Sequence, residues 1–144
     1  MDRFFSQILR DSPDAILIAD RDGRIRFWNA GAERMFGYAA AEVLGDSLDL
    51  IIPANLRPRH WQGYFRVMET GATNYLTDML ASPGLRKDGS RLSLEFSIVL
   101  LRDEQGAMAG CAAILRDVSE RWHKEKELKQ RLAACEGKLQ GGPA

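Results

Sequence analysis

Apolar positions along the chain follow two different periods, and the change between them predicts the order of the elements. Residues 2–11 carry large apolar side chains at helical spacing, and Pro13 ends that helix because it disfavours helical backbone at the residue before it. Residues 91–101 instead alternate between apolar and polar side chains, which is typical of a strand with one buried face. The apolar positions of the first helix are Phe4, Phe5, Ile8 and Leu9.

Turn and capping residues divide the rest of the chain. A turn signal at 20–23 separates the apolar run 15–19 from the alternating residues 24–28, and together they predict a β-hairpin. Asn29 is a preferred residue at a helix start, and Gly37 suits a helix end. The same reasoning predicts short helices at 30–36 and 39–44, an irregular stretch at 46–55, a longer helix at 56–70, strands at 75–82, 91–101 and 107–116, and a last helix at 119–139.

The predicted strands and helices are segregated along the chain. This order indicates an antiparallel α+β fold and argues against parallel βαβ units. An antiparallel sheet can bury one face under helices and leave the other for solvent or a partner. We therefore divide the chain into an N-terminal helix (1–12), a central domain (13–118), an outgoing helix (119–139) and a short tail (140–144).

Composition restricts the possible functions of the chain more than it restricts the possible folds. The 144 residues include 20 basic and 20 acidic side chains, so the net charge of zero gives no general attraction to nucleic acid. Cys111 and Cys135 have no cysteine neighbours, which fits a reducing compartment and excludes a disulfide framework or a cysteine-based zinc site. The N-terminal segment does not resemble a signal peptide, and no apolar stretch approaches the roughly 20 residues that span a bilayer. We expect a cytoplasmic protein without membrane contact.

Catalytic motifs do not occur in the sequence. It holds no Ser–His–Asp arrangement, no phosphate-binding glycine loop, no paired carboxylates at a defined spacing, and no kinase phospho-acceptor or ATP-binding motif. We therefore predict that the chain is not an enzyme. His123 lies in a charged helix and is expected to be solvated, which leaves His60, in the segment IPANLRPRHWQGYFRV, as the sharpest candidate for chemistry.

The last predicted helix carries a heptad pattern. Its seam positions step by three and four residues, the spacing that lets two helices pair in a coiled coil. We predict a parallel coiled coil across a homodimer, with the N-terminal helix also packed against the second copy; the alternative is a solvated amphipathic helix that folds back on the sheet. The seam positions are Val118, Arg121, Glu125, Leu128, Leu132, Cys135 and Leu139, and the dimer contacts of the N-terminal helix are Phe5, Ile8 and Leu9, with Phe4 beside them.

Three segments resemble the PAS domain family, in the same order and at ordinary spacing. They are PDAILIADRDGRIRFWNAGAERMFGYAAAEVLG over 13–45, RKDGSRLSLEFSI over 86–98 and ILRDVSE over 114–120, so the resemblance covers roughly residues 5–120. It implies five antiparallel strands in the spatial order 2-1-5-4-3 with short helices on one face. It also implies a sensory or dimerising module, whose relatives bind haem, flavin or small metabolites between helices and sheet, or bind nothing.

Within this family, His60 resembles the proximal iron ligand of the haem-PAS oxygen sensors. The spacing from His60 to Lys87-Asp88-Gly89 matches those sensors without a gap, and a neutral imidazole is a good ligand for haem iron. The chain departs from the oxygen-binding members at Leu80, where they have an arginine that stabilises bound oxygen. The resemblance further implies that Phe96 and Ile98 lie over the distal face of the haem, with Leu94 and Leu80 near it and Arg66 near a propionate.

Two alternatives to haem are flavin and the absence of any cofactor. Flavin is less favoured, because the light-sensing branch carries an Asn-Cys-Arg motif where this chain has LGDSLDLIIPANL, without cysteine; noncovalent FAD stays an alternative. A domain without any cofactor is the other alternative, since Tyr75 and Phe96 are bulky enough to fill the space and His60 can cap or pack at the surface. Cys111 is expected to be a small core residue.

The segment Asp117-Val118-Ser119-Glu120 joins the last strand to the outgoing helix. Asp117 or Ser119 can cap that helix, and Glu120 stands three residues after Asp117, the spacing of a capping box. The resemblance implies that strain in the sheet reaches the helix here. We therefore predict a dimerising sensor that relays a ligand, redox or gas signal to a histidine kinase, a cyclase or phosphodiesterase, or a transcription factor; the alternative is a ligand-free dimerisation or protein-interaction module.

Overall fold

Five strands and five α-helices make up the part of the chain that the structure, a computed structural model, describes: residues 2–74 and 78–140, with side chains described as far as residue 137. Among these residues no helix is both long and apolar enough to cross a membrane. The helices are α1 (Asp2–Asp11), α2 (Ala30–Phe36), α3 (Ala40–Val43), α4 (Arg57–Thr70) and α5 (Ser119–Gln140), and two 3-10 turns, Leu48–Ile51 and Ala54–Leu56, precede α4. The strands are β1 (Ala15–Asp20), β2 (Ile25–Trp28), β3 (Leu80–Leu85), β4 (Arg91–Arg102) and β5 (Met108–Asp117).

The strands form one antiparallel sheet in the order β2-β1-β5-β4-β3, which confirms the predicted α+β fold and strand order. β5 is the central strand, where Ala113 pairs with Leu17 of β1 on one side and Ile98 of β4 on the other. The start of β1 lies beside the end of β5, because Ala15 pairs with Leu115. Helices α1 and α5 therefore meet the sheet at the same end.

One face of the sheet carries the core. On β4 the side chains of Leu92 and Leu94 are buried, and Ser93 and Glu95 lie on the opposite face, as the alternation predicts. Helices α2 and α3 and the first 3-10 turn contribute the other half of this core. Its buried members are Ala15, Leu17, Ala19, Ile25, Trp28, Ala32, Phe36, Val43, Leu48, Ile51, Leu92, Leu94 and Leu115, which we call the core cluster.

The side chain of Asn29, only 2% exposed, ties three elements together. Its Oδ1 accepts hydrogen bonds from the backbone N–H groups of Ile16 (2.8 Å) and Ala32 (2.9 Å), which joins β1 to the first turn of α2. Its Nδ2 donates to the backbone carbonyls of Leu9 (2.9 Å) and Asp14 (3.0 Å), which adds the end of α1. The predicted helix cap is confirmed, and the amide uses both its donor and its acceptor capacity.

The third strand differs from its prediction. β3 spans Leu80–Leu85, whereas the pattern predicts a strand at 75–82, of which residues 75–77 lie outside the described residues. Pro83 and Gly84 look like the end of a strand, but β3 is an edge strand, where proline does not need to donate to a neighbour. A Cβ at Gly84 would lie 2.6 Å from Cδ1 of Leu94, so glycine lets the two strands approach. The predicted C-terminal limit was therefore wrong.

Both terminal helices expose apolar side chains. No residue of α1 is buried, and its Phe4, Phe5, Ile8 and Leu9 are between 42% and 63% exposed. On α5, Leu128 and Leu132 are 61% and 60% exposed, and the side chain of Leu139 lies outside the described side chains. Contiguous exposed apolar surface of this kind commonly marks an interaction site.

Replacing Asn29 with alanine is expected to lower the free energy of unfolding by about 3 kcal/mol, because buried backbone groups lose their partners at roughly 1–3 kcal/mol each. Urea denaturation followed by circular dichroism measures the loss. Asn55→Ala is the matched control, since Asn55 is exposed and its side chain accepts a hydrogen bond from Arg91 at 3.2 Å. Equal losses for the two variants would contradict the central role of Asn29.

Candidate functional site

Helix α4 turns an aromatic face toward the core. Trp61 and Tyr64 pack against the core cluster, and Met68, one turn further along, is buried. The three positions share a face because an α-helix has about 3.6 residues per turn. Gly71 ends the helix in the left-handed conformation, with φ of 68°. The same helix carries His60, the predicted iron ligand.

Two hydrogen bonds and one packing contact hold this aromatic face in place. Trp61 Nε1 donates to Asp49 Oδ1 at 2.7 Å, and the Tyr64 hydroxyl donates to the backbone carbonyl of Asp20 at 2.5 Å. Burial is the main cause that raises the pKa of Tyr64, so its hydroxyl stays a donor. The Trp61 ring covers Gly23 so closely that a Cβ there would lie 2.1 Å from two ring carbons. Helix α4 is therefore fixed to the first 3-10 turn, Leu48–Ile51, and to the β1–β2 turn.

The imidazole of His60 is half-buried beside these rings. Its centroid lies 4.6 Å from that of Trp61, in an edge-on arrangement, and 5.7 Å from that of Tyr64. Its Nδ1 atom is buried and has no hydrogen-bond partner among the described residues. Burial lowers the pKa of His60, and the charge of Asp49 opposes that shift only in part. A neutral imidazole is the form that binds a metal, so the protonation state of this side chain suits coordination.

The predicted pocket residues on the strands share one face of the sheet. Leu80 of β3 pairs with Phe96 of β4, and Leu94 and Ile98 lie two residues to either side of Phe96. Leu94 is buried, whereas Leu80, Phe96 and Ile98 are half-buried. Phe96 packs against the same core cluster as the aromatic face of α4. The helix and the two strands thus bring apolar side chains to one interior.

Arg66 is not brought into this interior by the described residues, whereas Cys111 lies near Tyr64. Arg66 is exposed and lies six residues after His60, which turns it roughly 120° around the helix axis from His60. Tyr75, a candidate for filling the cavity, lies outside the described residues. Cys111 is half-buried on β5, and burial raises the pKa of its thiol to about 11, so the thiol is neutral.

A network around Asp117 holds the junction between β5 and α5. Both the backbone N–H (2.9 Å) and the hydroxyl (2.5 Å) of Ser119 donate to Asp117 Oδ1, and Arg86 pairs with Oδ2 at 3.1 Å. Burial raises the pKa of Asp117, but the hydrogen bonds from Ser119 and the charge of Arg86 outweigh it, so the pKa is lowered overall. Glu120 pairs with Lys124 one turn along α5, at 3.0 Å. The first turn of α5 is therefore tied to the β3–β4 hairpin.

Strand β4 makes a second connection to α5. The backbone N–H of Ser93 donates to Ser119 Oγ at 2.9 Å, and the N–H of Val118 donates to the Ser93 carbonyl at 2.8 Å. Arg121, in the first turn of α5, pairs with Glu95. The backbone of Ser93 and the outward side chain of Glu95 therefore contact the outgoing helix, whereas the inward face of β4 carries the predicted pocket residues.

Four residues of these networks have partners that the sequence pattern does not indicate: Asp49, Trp61, Arg86 and Glu95. Asp49 lies 12 residues from Trp61 and Arg86 lies 31 residues from Asp117, so each pairing depends on the tertiary fold. The hairpin turn that follows Arg86 is recognisable, and it is the one feature that could have placed Arg86 beside the sheet end.

Comparison with known proteins agrees with the fold. Residues 9–123 match the family model described as the PAS fold. The oxygen sensor protein DosP of Escherichia coli is 29% identical over 134 residues, and the sensor protein FixL of Bradyrhizobium diazoefficiens is 26% identical over 123 residues. These matches cover 92% and 85% of this chain but only 16% and 24% of the two relatives, so the chain spans less than a quarter of their length.

A solved structure shares the same architecture. The crystal structure of a PAS domain from Colwellia psychrerythraea superposes with a TM-score of 0.72 at 23% identity, covering 82% of this chain and 97% of that one. At this level of identity the likeness concerns the fold and carries no information on ligand or partner.

Replacing Asp117 with asparagine is expected to lower the free energy of unfolding at neutral pH by an amount on the order of 1 kcal/mol or less, since partly exposed ion pairs contribute little. Folding lowers the pKa of Asp117 below 3.8, so its contribution is present above that value and is lost as the pH falls through the folded-state pKa. The difference between wild type and variant should shrink in urea titrations between about pH 7 and about pH 2. A constant difference would contradict the role of the ionised carboxylate.

Proposed function

Since the chain belongs to the PAS family, we propose that it is a sensory module that holds haem through His60 and relays the state of that site through α5 to a partner protein. The observation that carries the proposal is the His60 imidazole, whose buried Nδ1 has no partner among the described residues. Buried polar atoms are normally hydrogen-bonded, so a buried nitrogen without a partner needs an explanation. Ligand binding provides one. The relation to an Escherichia coli protein named as an oxygen sensor supports the same function.

Haem suits a site that offers one histidine. The porphyrin supplies four nitrogen ligands, so the iron needs only an axial side chain from the protein. Across residues 2–74 and 78–140, no group of three or more His, Cys, Asp or Glu side chains stands close enough to hold a bare metal ion. Leu80, Phe96 and Ile98 offer an apolar wall of the kind that small-molecule sites use. Haem would supply an iron centre able to bind a gas or to change its redox state, and the apolar Leu80 would offer no hydrogen-bond donor beside it.

Strand β4 provides the proposed route from the site to α5. Its inward side chains Phe96 and Ile98 face the interior, while the backbone of Ser93 contacts the junction and the outward side chain of Glu95 contacts the first turn of α5. A shift of β4 at the proposed site changes both contacts at once, because these groups belong to one paired strand. Asp117, Ser119 and Glu120 form the junction that receives this shift.

The relayed signal acts on a dimer. The exposed apolar stripe of α1 and the leucines of α5 bury against the second copy, with the α5 helices paired in parallel along their heptad seam. The proposed output partner is a histidine kinase, a cyclase or phosphodiesterase, or a transcription factor. The proposed dimer contacts are Phe5, Ile8, Leu9, Leu128 and Leu132.

The alternative function is a PAS module without haem, whose task is dimerisation or protein interaction. The exposed apolar side chains of α1 favour it, because they serve a partner whether or not a ligand is bound. Noncovalent FAD is less favoured than either. The colour of the purified protein separates the three: red for haem, yellow for flavin, none for the interaction module.

Haem titration of the purified protein is expected to produce a Soret band that His60→Ala abolishes, because the variant lacks the axial nitrogen. The visible absorption spectrum measures this directly. His123→Ala is the matched control, since His123 is exposed on α5, and its spectrum should equal that of the wild type. A wild-type protein without a Soret band would refute haem binding, and an unchanged band in His60→Ala would refute His60 as the ligand.

Glutamate at both Leu128 and Leu132 is expected to convert a dimer into a monomer in sedimentation experiments, because like charges would face each other across the seam. Leu44→Glu is the control, since Leu44 is 49% exposed on the body of the domain, away from α5. Self-association that survives the double substitution would contradict the α5 seam, as would a wild-type protein that sediments as a monomer.

A further inference from the structure

The indole of Trp61 is restrained at both of its ends. Its Nε1 donates to Asp49 Oδ1 at 2.7 Å, and the carbons of the six-membered ring lie where a Cβ on Gly23 would stand, 2.1 Å from two of them. Gly23 has φ of 80°, a conformation that side chains rarely adopt, so the contact suits glycine in backbone as well as in space. A tryptophan held at both ends has little freedom to change rotamer.

Asp49 is itself held in place. Its backbone N–H donates to the Ser47 hydroxyl at 3.1 Å, and its backbone carbonyl accepts from Arg57, in the first turn of α4, at 3.1 Å. The Arg57 guanidinium also bonds the Ile52 carbonyl at 3.0 Å. The 3-10 turn that carries Asp49 is therefore anchored to the start of the helix that carries Trp61, and the acceptor has a fixed position.

The restrained indole in turn contacts His60. The two ring centroids are 4.6 Å apart at an interplanar angle of 77°, and Tyr64 limits the imidazole on a second side, at 5.7 Å. Neighbouring side chains on a helix diverge by about 100°, so this contact depends on where the Trp61 ring is held. No hydrogen bond from the described residues restrains His60 Nδ1. Ring packing is therefore what orients the imidazole.

We infer that Trp61, braced between Asp49 and Gly23, is a positioning residue that fixes the His60 imidazole before any ligand arrives. The inference rests on the proposed function insofar as the fixed imidazole serves as a haem ligand. Metal-binding histidines commonly owe their orientation to a hydrogen bond from the other ring nitrogen. Here packing by the Asp49–Trp61 pair replaces that hydrogen bond, and Nδ1, which has no partner among the described residues, stays available to a ligand.

Two variants remove the hydrogen bond between Trp61 and Asp49, and one retains it. Trp61→Phe retains an aromatic ring and removes the N–H donor, and Asp49→Ala removes the acceptor. Asp49→Asn keeps an oxygen that accepts the indole N–H and removes the charge. Trp122→Phe is the matched control for the ring change, because Trp122 is 45% exposed on α5. Circular dichroism and thermal unfolding verify that each variant is folded.

Haem titration of the intact protein measures the first effect. We expect Trp61→Phe and Asp49→Ala each to weaken haem binding by about 10-fold, the lower end of what loss of a supporting contact costs a metal site. Asp49→Asn and Trp122→Phe should bind as the wild type does. Because the two brace residues act through one bond, the Asp49→Ala/Trp61→Phe double variant should lose no more than the larger single loss. Additive losses would overturn the inference.

A second measurement needs no haem. In the ligand-free protein, NMR signals of the His60 imidazole should show one fixed ring orientation in wild type and Asp49→Asn, and exchange between orientations in Trp61→Phe and Asp49→Ala. Unchanged His60 signals in the two disrupting variants would overturn the positioning role. Failure of the wild type to take up haem would refute the proposed function, and the NMR comparison would then still decide the inference about Trp61.

Discussion

At the start of α2, one amide side chain serves backbone groups from three elements. Asn29 caps the helix, accepts from β1 and donates to the end of α1, all from a position that water does not reach. Leaving these groups unpaired in the core would be costly, so the arrangement permits α1, β1 and α2 to meet at one point. The hydrophobic core packs on this corner, and the direction in which α1 leaves the domain is set there.

The candidate site depends on a second set of anchors, one of which lies at the other end of β1. Helix α4 is bound to the 3-10 turn through Asp49 and to the β1–β2 turn through Tyr64, and both contacts use residues that face the core. Its position over the sheet is therefore set by hydrogen bonds as well as by apolar burial. Because His60 lies on this anchored helix, its imidazole would have a fixed orientation in the proposed haem site.

Local signals in the sequence predict most of the fold. The alternation along β4, the Asn29 cap and the glycine turns each depend on neighbours in the chain, and the structure has them as predicted. The limit of β3 could not be derived, because Pro83 and Gly84 are tolerated only through the strand's place at the sheet edge and against Leu94. For the same reason the sequence predicts only part of the candidate site. His60 stands out by residue type, whereas Asp49 becomes its indirect neighbour only through folding.

Strand β4 separates two sets of side-chain contacts by the parity of its residue numbers. Even positions such as Phe96 and Ile98 face the interior, whereas the odd position Glu95 directs its side chain to Arg121 of the outgoing helix. A substitution at one parity leaves the side chains of the other parity untouched while acting on the same backbone. Side chains that line the interior and side chains that contact α5 can therefore change independently during evolution, and an engineer can alter one set without redesigning the other.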